Sequence, residues 1–170
     1  LYIGMYHWAE LADDTKAAEF LMSVGKGLKW GLLSRSYHAD DICVGQMYLE
    51  MYKKHQNEKM IQPLKERAFY VASHPSDAVL SKRDPVGKST RWSWCDALFM
   101  APPVYAGLYT LTGEKVYKDY LMSEYKACTD SLYDHDESLY YRDGLRIGVP
   151  EPNGAKQFWG RGNGWVFGGL

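Results

Sequence analysis

The aspartate best placed for chemistry lies in the stretch RWSWCDALFMAPP, residues 91–103. If RWSW is extended, Trp92 and Trp94 point to the same side and form a two-ring platform that ends at Asp96. An aspartate at this place either caps a helix, by accepting hydrogen bonds from its first N–H groups, or transfers protons in a reaction. Taken alone, the position favours capping over catalysis. Cys95 has no histidine nearby in sequence to activate it, so we interpret it as a small buried residue.

Two further carboxylates are adjacent in the stretch ADDICVG, residues 39–45. The spacing predicts a helix whose N-cap is Asp40, which places Asp41 in the first turn beside the positive end of the helix. The ionised form of Asp41 is favoured there. The alternative is that both acids only decorate a helix N-terminus, which is a common arrangement.

The third stretch, KQFWGRGNGWVFGG at residues 156–169, alternates glycine with polar residues. A phosphate-cradling loop needs a preceding strand, and the residues ahead of this stretch resemble a loop, so a nucleotide site is disfavoured. We expect the glycines to let the backbone approach a ligand and Asn163 to cap the next helix. Arg161 offers a planar fork to a carboxylate, and Trp159 and Trp165 flank it.

The composition is that of a globular chain of one domain, with 170 residues, 46% apolar and 24% charged. Fourteen tyrosines and six tryptophans suit a cleft for flat, hydroxylated ligands such as sugars, although core packing explains most of them. A net charge of −1 without charged blocks argues against nucleic acid as the main partner. No apolar run approaches the roughly 20 residues of a membrane span. The histidines and cysteines lack metal-ligand spacing, so we expect neither a metal nor a cofactor.

Apolar residues at helical spacing predict three helical hairpins, and strand signals are nearly absent. The predicted pairs are 1–12 with 14–29, 40–54 with 58–72, and 96–112 with 114–133. The connections between the pairs are longer than a turn requires and lie on one side of the array, where a site would form. These connections are residues 30–39, 73–95 and 134–162. Irregular spacing between the turns favours an all-α barrel of hairpins over a solenoid.

Pro102 and Pro103 predict an interruption in the helix at 96–112. Neither proline can donate a backbone hydrogen bond, and the ring that follows Ala101 disfavours helical angles at that residue. The helix therefore either begins at the prolines or is kinked there. In either case DALFM is a separate turn that aims Asp96 into the mouth of the array.

Four stretches occur in a fixed order along the chain: ADDICVGQMYLEMY, WSWCDALFMAPPVYAGLYTLTGEKVYKDY, LYYRD and FWGRGNGWV. Together they resemble the unsaturated rhamnogalacturonyl hydrolases of glycoside hydrolase family 105, which is related to family 88, and the resemblance covers essentially the whole chain. It implies an (α/α)6 barrel of about twelve helices, of which this chain shows about seven. Because both ends fall inside apolar helical patterns without caps, we expect residues 1–170 to be one catalytic domain truncated at both ends.

The resemblance implies hydration of the C4–C5 double bond in a terminal 4,5-unsaturated uronic acid of galacturonyl type, left by lyases on rhamnogalacturonan or pectin. Asp96 would be the general acid and base, and Asp41 would assist it, with Asp40 as the fallback if the register shifts by one. One carboxylate can first donate a proton and then activate water, and a second acid nearby would raise its affinity for that proton. The residues matching the family's substrate contacts are Arg161, Trp159 and Trp165.

The chain departs from the family pattern after LYY, where some members have a histidine that contacts the sugar. This chain has Arg142 there, which is either an exposed loop residue or a partner for a substrate carboxylate. The preferred sugar next to the uronate therefore stays open. By resemblance, the protein would act on an unsaturated oligosaccharide in the cytoplasm or periplasm of a bacterium.

Two other functions fit parts of the pattern. A conventional inverting glycosidase on the same kind of toroid would use Asp41 and Asp96 as base and acid. A non-enzymatic helical-repeat module would bind a partner in the groove between hairpins and would not depend on Asp96. Activity on saturated substrates would identify the first, and an Asp96→Asn variant with unchanged function would identify the second.

Overall fold

The fold is built from α-helices that follow one another along the chain, and this computed structural model describes residues 1–78, 80 and 91–170. Seven helices in this part of the chain have ten or more residues: α1 (Tyr2–Ala12), α2 (Thr15–Gly27), α4 (Gly45–His55), α5 (Gln62–Ser73), α7 (Pro102–Thr112), α8 (Lys115–Leu132) and α9 (Gly160–Gly169). Two helices have a single turn: α3 (Ala39–Ile42) and α6 (Ala97–Met100). The other described elements are the 3-10 helices Glu58–Met60 and Gly144–Arg146 and an antiparallel hairpin of β1 (Tyr133–Asp134) and β2 (Leu139–Tyr140).

The long helices are arranged in two layers. In one layer α1 contacts α4 and α4 contacts α7, and in the other α5 contacts α8. The hairpins join the layers, because α2 lies against α1 and α8 lies against α7. This arrangement confirms the predicted all-α class, the array of hairpins and the number of about seven helices. None of the described helices is long and apolar enough to cross a membrane.

The hairpin turns are closed by residues in the left-handed region of backbone conformation. Asp13 (φ 50°) follows α1, Gln56 (φ 52°) follows α4 and Gly113 (φ 73°) follows α7. Each donates its N–H to the carbonyl oxygen four residues earlier, which satisfies the end of the helix. The second helix of the first hairpin then begins with a cap, because the side chain of Asp14 accepts a hydrogen bond from Ala17 N (3.0 Å).

The predicted interruption at the prolines is confirmed, with one correction. The helix α6 ends at Met100 and α7 begins at Pro102, where a missing N–H costs nothing in the first turn. The prediction that Ala101 leaves helical angles is wrong, because it has φ −100° and ψ −39°. Its carbonyl oxygen accepts hydrogen bonds from the N–H groups of Val104 (3.0 Å) and Tyr105 (3.3 Å), which offset the crowding by the following ring.

The glycines of α9 do not all have the role that the sequence predicts. This helix begins at Gly160 and lies against α6. A Cβ atom at Gly162 would overlap the Trp159 ring and lie 2.8 Å from Cys95 Sγ, so this glycine allows protein packing rather than approach to a ligand. Gly160 and Gly164 have no neighbouring atom within 4 Å of their Cβ positions.

Asn163 is not a helix cap, so that prediction is wrong. The helix α9 starts before this residue, and its N-cap is Trp159. The side chain of Asn163 instead pairs with the backbone of Tyr140, accepting a hydrogen bond from its N–H (2.8 Å) and donating one to its carbonyl oxygen (2.9 Å). The amide therefore ties α9 to β2.

We expect Gly162→Ala to destabilise the fold by about 1–3 kcal/mol, because the added methyl group has no room between Trp159 and Cys95. Gly164→Ala is the matched control in the same helix. It should be neutral or stabilising by up to about 1 kcal/mol, because alanine favours helices. Urea denaturation measures both changes, and equal stabilities of the two variants would contradict the packing role of Gly162.

Candidate active site

A pocket of about 240 Å³ lies between α3, the RWSW segment and the start of α6. Asp40 and Asp96 both line it, so the fold brings together carboxylates from two successive hairpins. Three basic side chains, Arg35, His38 and Arg91, also line it. The remaining lining residues are Ala39, Trp92, Ser93, Trp94 and Ala97. Charged groups of both signs around one small pocket are typical of an active site.

Asp96 occupies the N-cap position of α6, but its side chain makes no capping hydrogen bond to that helix. Burial raises the pKa of Asp96, and the nearby charge of Asp40 raises it further. The backbone N–H groups of Asp96 and Ala97 and the side chain of His38 oppose this shift without reversing it. Asp96 therefore keeps its proton to a higher pH than an ordinary aspartate does, which is the property that a general acid requires.

The position of Asp96 depends on Gln46, a residue that the sequence does not single out. Gln46 is 7% exposed on α4, and its Nε2 donates hydrogen bonds to the carbonyl oxygens of Phe99 (2.8 Å) and Met100 (3.0 Å). These carbonyls lie at the end of α6, where a single turn of helix leaves them without helical partners. Gln46 thus fixes α6 to the neighbouring hairpin.

Asp40 does not cap α3, so that prediction is wrong. The helix begins at Ala39, and the N-cap is His38, whose Nδ1 accepts a hydrogen bond from Asp40 N (3.3 Å). The side chain of Asp40 is 52% exposed and lines the pocket. Asp40 is thus the member of the adjacent pair that shares the pocket with Asp96.

Asp41 is only 2% exposed and is bound by Arg35 instead of lining the pocket. Its Oδ1 accepts hydrogen bonds from Arg35 Nε (3.0 Å) and Nη2 (2.5 Å), and its Oδ2 accepts one from Arg35 N (2.8 Å). Burial acts to raise the pKa of Asp41, but the hydrogen bonds and charge of Arg35 hold it below the ordinary value. Asp41 therefore favours its ionised form and anchors Arg35.

Two tryptophans that meet each other, each with an arginine against its ring, extend from the pocket at Trp94. The guanidinium of Arg142 lies 4.5 Å from the ring centroid of Trp94, and Trp94 meets Trp159 edge to face at 6.2 Å. Arg161 lies 4.9 Å above the ring of Trp159. We call these four residues the aromatic ladder. All four were predicted to contact substrate, Arg142 in one of its two interpretations.

Arg142 is not the exposed loop residue that the simpler interpretation predicts. Its Nε donates a 2.6 Å hydrogen bond to Asp143 Oδ2, and Asp143 is 4% exposed. The carbonyl oxygen of Arg142 also accepts a hydrogen bond from Cys95 N (2.9 Å), next to Asp96. The arginine is therefore held in place on both its side chain and its backbone.

Trp92 does not form a platform with Trp94, and that prediction is wrong. The N–H of Ser93 donates to the carbonyl oxygen of Arg91 (2.9 Å), so a tight turn at Trp92 breaks the strand-like alternation. Trp92 is 2% exposed and packs edge to face on Tyr120 at 6.0 Å. Trp92 still lines the pocket, but the tryptophan ring that meets Trp94 is that of Trp159.

Trp165 is not among the residues that line the pocket containing Asp96. Its ring packs on Phe99 with the centroids 4.8 Å apart. It lines a separate, largely apolar cavity of about 610 Å³ together with residues of α1 and α4. Trp159 and Trp165 flank Arg161 in the sequence, but Trp159 is not among the residues that line the cavity of Trp165.

Sequence reasoning did not identify the basic side chains of the pocket, but one feature of the sequence pointed to Arg91. Arg91 pairs with Glu124, which is 3% exposed. Glu124 falls on the buried stripe of α8, four residues before Cys128 and four after Tyr120, and a carboxylate on an apolar stripe requires a partner. No comparable signal marks His38. Among the described residues, no group of three or more His, Cys, Asp or Glu is placed to hold a metal ion.

Two layers of helical hairpins and a pocket with two carboxylates beside a tryptophan are consistent with the glycoside hydrolase class. The chain belongs to Glycosyl Hydrolase Family 88, whose sequence profile it matches over residues 1–170.

Two curated relatives are similar over nearly the whole chain. The unsaturated 3S-rhamnoglycuronyl hydrolase of Alteromonas sp. (strain LOR) is 34% identical over 177 residues, which cover 98% of this chain and 43% of that protein. A protein of the same name from Formosa agariphila is 35% identical over 180 residues, covering 99% of this chain and 47% of the relative. The chain therefore spans less than half the length of either relative.

Solved structures show the same fold over 99% of this chain. A polysaccharide lyase matches with a TM-score of 0.85, 24% identity and 49% of its length covered. A family 88 glycosyl hydrolase from Bacteroides vulgatus matches with a TM-score of 0.80, 25% identity and 51% covered. A family 105 glycoside hydrolase from C. acetobutylicum ATCC 824 matches with a TM-score of 0.70, 18% identity and 49% covered. These likenesses confirm the expected α/α toroid class.

We expect Asp41→Asn to destabilise the protein by about 1–3 kcal/mol, because it weakens three hydrogen bonds to a charged partner inside the fold. Asp40→Asn, one residue away and exposed, should change stability by less than about 0.5 kcal/mol. Urea denaturation near neutral pH measures both variants.

The difference between the variants should also depend on pH. The folded pKa of Asp41 lies below its unfolded value, so its contribution is present above the unfolded pKa and is lost as pH falls through the folded pKa. A stability difference that persists unchanged in strong acid would contradict this role for Asp41.

Proposed function

We propose that the protein releases a terminal 4,5-unsaturated uronic acid from an oligosaccharide by hydrating the C4–C5 double bond. The observation that carries this proposal is the pocket in which a partly buried Asp96 of raised pKa faces the charge of Asp40. Membership of family 88 and the two relatives named unsaturated 3S-rhamnoglycuronyl hydrolases support it.

In this reaction Asp96 acts twice. It first donates its proton to C4 of the double bond, and positive charge develops at C5 beside the ring oxygen. The resulting carboxylate then accepts a proton from a water molecule whose oxygen adds to C5. The product is a hemiketal, which opens and releases the neighbouring sugar, so one water molecule is consumed and Asp96 regains its proton.

Asp40 is proposed as the second carboxylate of the reaction. The family resemblance assigned this role to Asp41, with Asp40 as the fallback. Asp40 shares the pocket with Asp96, and its charge helps to keep Asp96 protonated before the reaction. Asp41 is unsuited to proton transfer, because Arg35 occupies both of its oxygens and favours its ionised form.

The aromatic ladder supplies the surface on which the sugars would lie. The faces of Trp94 and Trp159 suit the apolar faces of pyranose rings, and Arg142 and Arg161 offer charged donors along the same surface. Trp165 is also proposed as a substrate contact, because it matches the family motif. The names of the relatives favour a uronate joined to rhamnose, and family 105 resemblance favours a galacturonyl-type uronate.

The first test follows the ultraviolet absorbance of an unsaturated uronyl–rhamnose disaccharide with the intact protein. Hydration removes the conjugated double bond, so the absorbance should fall. Asp96→Asn should lower the rate by about 100- to 10,000-fold while circular dichroism shows an unchanged fold.

Each other outcome of this test identifies a different function. Constant absorbance with wild-type protein would reject the proposal, and cleavage of a saturated substrate would favour a conventional inverting glycosidase. Rising absorbance on an intact polysaccharide would indicate a lyase, since β-elimination creates the double bond.

The second test concerns the pH profile of Asp40→Asn. Removing this negative charge lowers the pKa of Asp96, so the loss of activity with rising pH should begin at a lower pH than in wild type. The basic side chains that face this site, Arg35, His38 and Arg91, are all retained in the variant. The matched control is Asp119→Asn at an exposed position of α8, which should leave the profile unchanged. A profile of Asp40→Asn identical to wild type would contradict the coupling.

A further inference from the structure

Two arginines in the pocket share an arrangement that the proposed proton transfer does not require. Arg35 precedes α3 and Arg91 precedes α6, and both line the cavity that contains Asp96. Each forms an ion pair with a carboxylate that is almost fully buried. Arg35 pairs with Asp41, which is 2% exposed, and Arg91 pairs with Glu124, which is 3% exposed.

The contacts of Arg91 fix its guanidinium but do not use all of its donors. Its Nε donates to both oxygens of Glu124 (2.9 and 3.1 Å), Nη2 lies 2.8 Å from Oε1, and Nη1 donates to the carbonyl oxygen of Ala78 (3.1 Å). An arginine side chain has five N–H groups, so these contacts leave one N–H on each terminal nitrogen. The side chain of Arg91 is only 18% exposed.

Arg35 is held in the same way. Its Nε and Nη2 both donate to Asp41 Oδ1, and these contacts leave three N–H groups on the terminal nitrogens. Its side chain is 48% exposed, so the guanidinium reaches from a buried anchor toward the pocket. Both arginines therefore present oriented donors at the same cavity.

Stability alone is a poor explanation for this arrangement. Burying a carboxylate carries a large desolvation cost, and a well-packed apolar pair of similar volume is often at least as stable as a buried ion pair. What the buried partner provides is orientation, because it holds the planar fork of arginine in one direction. Two such forks at one pocket are suited to binding an oxyanion with two or more oxygens.

The pocket needs such cations if an anionic sugar is to enter it. A uronate brings a negative charge to a small cavity that already contains the carboxylate of Asp40, and like charges close together repel. Arg142 and Arg161 lie on the aromatic ladder and are not among the residues that line this cavity. Arg35 and Arg91 are the arginines that line it in the described part of the chain.

We propose that Arg35 and Arg91, oriented by Asp41 and Glu124, form a two-arginine clamp that binds an oxyanion of the substrate beside Asp96. This inference rests on the proposed function, and it extends that function to the recognition of charge. The oxyanion is either the carboxylate of the unsaturated uronate or a sulfate ester on the neighbouring sugar, since both present several oxygens to a fork.

The test removes each arginine together with its anchor, so that no buried charge is left unpaired. The variants Arg91→Gln/Glu124→Gln and Arg35→Gln/Asp41→Asn are assayed in the intact protein on unsaturated uronyl–rhamnose, with and without a sulfate ester on the rhamnose. Loss of a charged hydrogen bond should raise KM about 10- to 100-fold with little change in kcat. An increase on both substrates assigns the clamp to the uronate, and an increase on the sulfated substrate alone assigns it to the sulfate.

The matched control is Lys126→Gln/Asp130→Asn, which removes an exposed ion pair on α8 and should leave KM unchanged. If each double variant is folded and its KM stays within twofold of wild type on both substrates, the clamp is overturned.

If wild-type protein hydrates neither substrate, the proposed function fails, and the clamp is tested separately by calorimetric titration with glucuronate and with inorganic sulfate. Binding to wild type that is weakened at least tenfold in the Arg91→Gln/Glu124→Gln variant supports the clamp. Equal affinities, or no binding of either anion to wild type, reject it.

Discussion

The site depends on the single helical turn α6, which must hold Asp96 at a pocket without using its carboxylate as a cap. A four-residue helix cannot satisfy its own ends, so its position is set by its neighbours. Gln46 binds two of its terminal carbonyl oxygens, and α9 packs against it so closely that a Cβ at Gly169 would overlap Leu98 O. Because other groups satisfy α6, the side chain of Asp96 is left for chemistry.

The adjacent aspartates of α3 show how one turn of helix can separate two roles. Successive residues on a helix are rotated by about 100°, so neighbours in sequence face different surroundings. Asp40 faces the pocket, while Asp41 is buried against Arg35. The first carboxylate therefore perturbs Asp96 by its charge, and the second is neutralised locally. Asp40 thus acts on the pocket directly, and Asp41 acts on it through Arg35.

Much of the fold followed from the sequence, because it depends on local patterns. Helical periodicity and turn residues predicted the three hairpins, and Pro102 predicted the separate turn after Asp96. The errors arose where a particular turn or side-chain contact decides which way a residue faces. Whether Asp40 or Asp41 faces the pocket depends on α3 starting at Ala39 and on Arg35 six residues before Asp41. The burial of Trp92 depends on one tight turn, which reverses the alternation assumed for an extended segment.

The contrast between the acids of this pocket follows from where each charge is compensated. Asp41 and Glu124 are deeply buried, and each is paired with a guanidinium, which for Asp41 lowers the pKa of the carboxyl group. Asp96 is less buried, and no arginine is among the groups that shift its pKa. Its strongest charged neighbour is another carboxylate, that of Asp40. The pocket therefore favours the protonated form of Asp96, while its two arginines lie against the buried carboxylates. In the proposed reaction, such a pocket would present an acidic proton to the double bond of an anionic sugar, with arginine donors nearby for an oxyanion of the substrate.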